Sequence, residues 1–411
     1  RFMAKLKPNS IAVFNANDIY PISADSTLPF EQHRDLFYLT GVDQEETILV
    51  LCPVAKDPKQ REMVFVRETN AHIAVWEGHK LTKSEATAVT GIDNVQWTAD
   101  FEASFLELAK QVENIYINTN EHYRAKLETQ TREDRFIAWC KEQFPKKNYE
   151  KSNFILQGLR GVKDPEEIAH IQQACDITEK GFKRVLGFVT PGVWEFEIEA
   201  EFAHIFLRNR SKGFAYTPII ASGANSNVLH YIENSQQCQA GELILIDVGA
   251  EYGNYSSDMT RTIPVSGRFT PRQRAVYDAV LKVKDEATQL LMPGVLWKAY
   301  HIEVGKLMSS ALVDIGLLTK KEVSDNAEAY KKYFMHGTSH HLGLDTHDYG
   351  LLDKPMQANM VFTVEPGIYI PDEGFGIRLE DDVVVQATGA PVNLMANIPI
   401  DPDEIEALMN P

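Results

Sequence analysis

Residues 243–247 read Leu243-Ile244-Leu245-Ile246-Asp247: four aliphatic residues that predict a fully buried strand, closed by a carboxylate. No other feature constrains the fold as much. A carboxylate taken out of water is costly unless it is paired or bound to a cation, so the end of this strand must meet a partner. Three further acids sit in similar settings. Asp258 follows in Tyr255-Ser256-Ser257-Asp258-Met259-Thr260-Arg261-Thr262, Glu365 falls between Val361-Phe362-Thr363-Val364 and Pro366-Gly367, and Glu380 closes Gly376-Ile377-Arg378-Leu379. Gly249 and Gly253 suit a turn, and a hairpin there would place Asp247 and Asp258 on one face. Taken singly, Asp247 or Asp258 reads as a cap or turn residue; Glu365 and Glu380 are embedded in strand-like apolar sequence, and Glu380 has Arg378 as a candidate partner, although residues two apart share a strand face rather than a tight contact. Together, four carboxylates pointing into one cavity would repel each other, and one or two divalent cations would offset that repulsion.

The histidines crowd the same half of the chain. Four of the twelve, His336, His340, His341 and His347, fall within residues 336–347, while His230 stands apart in Leu229-His230-Tyr231. A lone histidine is more often structural; crowding suggests a site without saying which ring is a ligand. Imidazole with carboxylate suits Mn, Co, Fe or Zn, whereas an all-oxygen site would suit Mg or Ca. Cys52, Cys140, Cys175 and Cys238 form no CxxC pair, so a thiolate zinc site is not expected. Cys175 lies in a helical pattern and reads as packing.

At 411 residues, 44% hydrophobic and 24% charged, the chain predicts a soluble globular protein of two or three domains. A net charge of −17 disfavours nucleic acid and anionic membranes as partners. No apolar run reaches a bilayer span of about 18 residues. The opening Arg1-Phe2-Met3-Ala4-Lys5 leads into no apolar signal core, so no signal peptide is expected there, and the lack of an initial Met leaves room for a native start upstream. A cytoplasmic location with reduced thiols is the expectation.

Strands are expected at 48–52 and 63–66, joined through a turn at Asp57-Pro58-Lys59, and at 114–119, with helices over 101–112 and 128–143. This is an α/β pattern, ending near the polar stretch 145–153. The second part opens with Asp164-Pro165-Glu166-Glu167, a helix start with Pro at the first position, and that helix runs to about Phe188. Helices are also expected over 195–210, 271–291 and 298–315. Strands are expected over 218–221, 243–248, 260–264, 361–364, 367–370, 376–379 and 382–386. The reading is an α/β domain over 1–153 and an α+β domain over 154–411.

The order Asp247, Asp258, His340, Glu365, Glu380 resembles the metal-ligand set of the metallopeptidases with the pita-bread fold, which include methionine aminopeptidase, prolidase and aminopeptidase P. The strings Ile246-Asp247-Val248-Gly249, Ser257-Asp258-Met259-Thr260-Arg261-Thr262, His336-Gly337-Thr338-Ser339-His340, Val364-Glu365-Pro366-Gly367 and Gly376-Ile377-Arg378-Leu379-Glu380-Asp381 match as well. Leu342-Gly343-Leu344-Asp345-Thr346-His347-Asp348 resembles the aminopeptidase P branch in particular. So do Arg34-Asp35-Leu36-Phe37-Tyr38-Leu39-Thr40-Gly41 and Trp76-Glu77-Gly78, which are similar to its non-catalytic N-terminal domain. The resemblance covers nearly the whole chain, and no ligand position is substituted.

The resemblance implies a pita-bread catalytic domain over 154–411 holding two divalent ions, Mn2+ first with Co2+ or Zn2+ as alternatives. Asp258 and Glu380 would bridge them, Asp247 would bind one, and His340 with Glu365 the other. A bridging water would be the nucleophile, Glu365 would help move its proton, and His230 and His347 would hold substrate and stabilise the oxyanion. His336 and Arg378 would orient ligands. The implied reaction removes the N-terminal residue of peptides with proline in the second position. A prolidase confined to X-Pro dipeptides is the closest alternative, and a metal-free binding protein of the same fold is the alternative from another class. A homodimer or homotetramer is implied, in which Trp76 reaches a partner's active site; otherwise Trp76 is an ordinary surface or domain-core residue.

Overall fold

The computed structural model describes residues 1–125 and 127–410. The chain divides into two compact units, Arg1–Leu159 and Arg160–Pro411.

The first unit is built on a six-stranded sheet of β1 (Ser10–Asn15), β2 (Ile48–Leu51), β3 (Glu62–Val66), β4 (Val95–Trp97), β5 (Asn114–Ile117) and β6 (Asn148–Lys151), in the order β4-β3-β2-β1-β5-β6. β1 pairs antiparallel with β2 and parallel with β5, so it is the centre of the sheet. Successive side chains on a strand point to opposite faces, and β1 feeds two cores. Ile11 and Val13 join Phe105, Leu108, Phe136 and Ile137 from α1 (Phe101–Ala109) and α2 (Arg132–Gln143). Ala12 and Phe14 join Leu36, Ala86 and Leu156 on the other face. Burying a side chain of this size contributes about 1.5–3 kcal/mol, which explains why the sheet is apolar on both sides. The polar stretch 145–153 carries the edge strand β6, paired parallel to β5, and the unit runs on through a further helix.

In the second unit α3 (Pro165–Leu186) starts as its sequence requires: Asp164 is the N-cap, its backbone N–H donates to Glu167 Oε2 at 2.8 Å, and Pro165 fills the first position, where no N–H is needed. α4 (Glu195–Arg208) packs against it. β7 (Ile219–Ser222), β8 (Leu243–Val248) and β9 (Met259–Pro264) form an antiparallel sheet with β8 in the middle. α5 (Pro271–Gln289) and α6 (Trp297–Asp314) follow. The chain then returns to strands: β10 (Val361–Val364), the hairpin of β11 (Gly367–Ile370) and β12 (Phe375–Arg378), and β13 (Asp381–Val384), which pairs antiparallel with β10.

Candidate metal centre

Strand register brings the acids together. Asp247 on β8 lies opposite Thr260 on β9, and Thr260 and Asp258 are two residues apart, so Asp247 and Asp258 face the same way. β10 and β13 pair Val364 with Asp381, and continuing that ladder by one residue sets Glu365 level with Glu380. The two sheets are joined at this point, because Glu380 N–H donates to Thr260 O at 3.0 Å and Thr260 Oγ1 donates to Glu380 Oε2 at 2.7 Å. The segment carrying His340 runs beside β10: Thr363 N–H donates to His340 O at 3.0 Å and Glu365 N–H to Thr338 O at 2.8 Å.

Ligand atoms of Asp258, His340 and Glu380 all lie within 4.8 Å of one another, and all three residues are buried. His340 Nε2 is 3.4 Å from Asp258 Oδ2 and 3.7 Å from Glu365 Oε1. Its Nδ1 lies 2.9 Å from His341 O, so that nitrogen carries a proton and Nε2 is the ring atom left facing the acids, the one that would bind a cation in place of a proton. Asp247 is joined to the group through Tyr216, whose hydroxyl is 2.6 Å from Asp247 Oδ1 and 2.6 Å from Asp258 Oδ1. A phenol has one proton to give, so Tyr216 alone cannot satisfy both carboxylates.

Burial pushes Glu365 up to about 7, the Asp258 and Asp247 charges pushing the same way against His340 and Arg378. It also raises Asp247, and lifts Glu380 far above the usual carboxylate range with Asp258, Glu365 and Asp247 adding to it. Burial opposes a proton on His340, but Asp258 and Glu365 outweigh it and the imidazole is raised. These groups cannot all ionise in a protein interior on their own. Four carboxylates and an imidazole converging in this way are the donor set that divalent cations satisfy, and the residues fit such ions.

Supporting contacts surround the cluster. Arg378 Nη2 is 2.5 Å from Asp247 Oδ2, its Nε donates to Thr260 Oγ1 at 3.1 Å and its Nη1 to Tyr369 OH at 2.9 Å. His336 Nε2 is 2.7 Å from Tyr369 OH, and its Nδ1 is 3.7 Å from Glu365 Oε2. His347 packs edge-on to His340 with ring centroids 4.4 Å apart. His230 is exposed on the loop after β7. Trp76 belongs to the other unit, on the short helix Ala71–Glu77, where it is 78% exposed. Tyr216, Thr260 and Tyr369 carry no mark in the sequence; a tyrosine before a strand or a threonine within one is unremarkable until the fold brings acids to it.

The metallopeptidase family M24 matches residues 169–387, and the aminopeptidase P N-terminal domain matches residues 1–116. The chain belongs to the M24 metallopeptidases. This M24 enzyme is 34% identical to the Xaa-Pro aminopeptidase of Escherichia coli, covering 98% of this chain and 95% of that protein. It is 30% identical to human Xaa-Pro aminopeptidase 3 over 96% of this chain and 79% of that one. Zn-substituted E. coli aminopeptidase P in complex with product superposes with a TM-score of 0.89 at 32% identity, covering 99% of this chain and 96% of that chain. Proline aminopeptidase P II from Yersinia pestis does so with 0.89 at 33%, covering 99% and 97%. The pita-bread architecture of the second unit and the aminopeptidase P-type character of the first follow from these matches. Among the described residues no helix is long and apolar enough to cross a membrane.

Proposed function

We propose that this M24 metallopeptidase is a metal-dependent exopeptidase that removes the N-terminal residue from peptides with proline in the second position. The convergence of Asp258, His340 and Glu380, with Asp247 and Glu365 beside them, carries this reading. Its relatives support the substrate class, being named Xaa-Pro aminopeptidases over nearly the full length of this chain. Residues 154–411 would supply the catalysis and 1–153 the non-catalytic domain.

Asp258 and Glu380 would bridge two ions, with Asp247 on one and His340 and Glu365 on the other. Bound there, the ions would supply Lewis acidity that activates water and polarises the scissile carbonyl. Glu365, whose Oε1 lies 3.7 Å from His340 Nε2, is placed to take a proton and return it to the leaving nitrogen. His230 and His347 would donate to the developing oxyanion. Arg378, Tyr369 and His336 form a chain of hydrogen bonds that holds Asp247 in place. The proline nitrogen has no N–H, so recognition rests on the carbonyl, the proline ring and the free amine, which an acidic site attracts as a cation.

The oxygen-rich donor set favours Mn2+, with Co2+ and Zn2+ as alternatives. A cytoplasmic site of action suits the four buried free cysteines. A homodimer or homotetramer would give the exposed Trp76 a place at a partner's active site, its aromatic face against substrate. The test compares kcat/KM for X-Pro with X-Pro-Y-Z at equal Mn2+. Faster cleavage of the longer peptide, abolished by blocking its amine, is expected; cleavage of the dipeptide alone would make the protein a prolidase.

A further inference from the structure

The two histidines assigned to substrate sit at exposed positions, yet the residue after each is buried and tied to a charge outside the metal cluster. Tyr231, next to His230, is 7% exposed and packs with Ile219, Ala221, Leu245 and Tyr369. Its hydroxyl donates to Glu195 Oε2 at 2.8 Å. Glu195 is fully buried at the first turn of α4 and collects the whole segment: Ser222 N–H and Oγ donate to its Oε1 at 2.8 and 2.7 Å, and Gln236 N–H donates to its Oε2 at 2.8 Å. Both ends and the middle of the loop that carries His230 thus meet at one carboxylate.

Asp348, next to His347, is buried between two cations that are themselves buried. Its Oδ2 accepts from Lys163 Nζ at 2.8 Å, and its Oδ1 accepts from Arg160 Nη2. Arg160 also reaches Asp345 at 2.6 Å, and its guanidinium lies over the Tyr349 ring at 4.9 Å. The space is tight enough that a Cβ on Gly343 would come within 2.2 Å of Asp348 Oδ2. The loop 343–349 is therefore pinned on both sides of His347.

We infer that Glu195 and Asp348 are positioning residues for the reaction, each aiming one substrate-holding histidine by fixing the backbone of its neighbour. Neither side chain belongs to the metal cluster, and only the Asp348 backbone N–H comes near it, sharing the His341 carbonyl with His340 Nδ1. The physical reason is that a side chain on a surface loop takes its position from the backbone that carries it, and oxyanion stabilisation needs a donor at a set place. A buried charge whose hydrogen bonds are all met has one geometry, because any other leaves it unpaired. The inference rests on the roles assigned above to His230 and His347.

Double-mutant cycles test it. Asp348→Asn and Glu195→Gln are each expected to lower kcat about 10–100-fold, the range for residues that orient ligands, with KM and bound metal little changed. Asp348→Asn should cost under about twofold in a His347→Ala background and its full amount in a His230→Ala background, because coupled residues are not additive and independent ones are. Glu195→Gln should show the reverse. Lys163→Met and Tyr231→Phe, which weaken the same anchors while leaving other partners in place, serve where the first pair fails to fold, and should show the same background dependence with smaller losses. A full penalty for Asp348→Asn in the His347→Ala background, or a loss explained by KM or metal content, overturns the inference. Wild-type kcat in His347→Ala would instead overturn the role of that histidine, and the positioning role with it.

Discussion

His340 Nε2 lies 3.4 Å from Asp258 Oδ2, while Nδ1 of the same ring is committed to the carbonyl of its neighbour, His341. The backbone thus keeps Nδ1 occupied and leaves Nε2 to face a carboxylate, a pair that a proton or a cation completes.

Asp258→Ala removes the acid that the cluster shares most widely. Turnover should fall by at least about 10³, equivalent to about 4 kcal/mol of barrier, and bound metal by elemental analysis should drop below two ions per chain. The far-ultraviolet circular dichroism should be unchanged, since the cluster is small beside the core. Wild-type turnover with Mn2+ present would show the ligand assignment to be mistaken.

Tyr216 offers one proton to two carboxylates, Asp247 and Asp258. Tyr216→Phe takes away the hydrogen bond that orients them while keeping the ring. Metal affinity should weaken about 10–100-fold, seen as a higher Mn2+ concentration for half-maximal activity, with kcat at saturating Mn2+ much closer to wild type. An unchanged activation curve would remove Tyr216 from the site.

Glu133, in the first unit, provides a pH prediction. Burial pushes it up to about 8, although Asn15 donates to it from both its backbone N–H at 2.9 Å and its side-chain amide at 3.1 Å. The folded pKa stands above the unfolded value, so its contribution to stability is full below about 4.5 and is lost as pH rises toward 8. Within that window the wild type should lose about 1.4 kcal/mol per pH unit from this group. Glu133→Gln can keep both contacts if the Asn15 amide turns over, and should lack that slope. Denaturant midpoints of the two proteins at pH 5 and pH 7.5 decide it: a constant difference between them would rule the assignment out.

Trp76 stands on a helix with no buried residue. Trp76 and its neighbour Val75 are both largely exposed, which leaves the indole accessible to a partner. Trp76→Ala should lower kcat/KM several-fold at protein concentrations where the wild type is oligomeric by sedimentation. A wild-type chain that sediments as a monomer with full activity would exclude the partner role.

Local chemistry carried a good part of the molecule. An acid at the end of an apolar strand is conspicuous because water cannot follow it there, and the recurrence of that pattern at Asp247, Glu365 and Glu380 makes them candidates as a set before any fold is known. Strands 243–248, 361–364 and 367–370 are bounded by their own apolar runs and turn residues and fall where the sequence puts them. The cap at Asp164 is legible for the same reason. The remainder depends on pairings between distant segments. Nothing in Ser10–Asn15 alone makes it the centre of a sheet; its partners Ile48–Leu51 and Asn114–Ile117 do. The polar run Asn148–Lys151 resembles a linker and becomes an edge strand because an edge needs only one paired side. Tyr216, Glu195 and the Arg160–Lys163–Asp348 cluster are ordinary residue types at ordinary spacings. Their roles arise when the tertiary structure buries their charges and hydroxyls together, where each must find a partner or go unsatisfied.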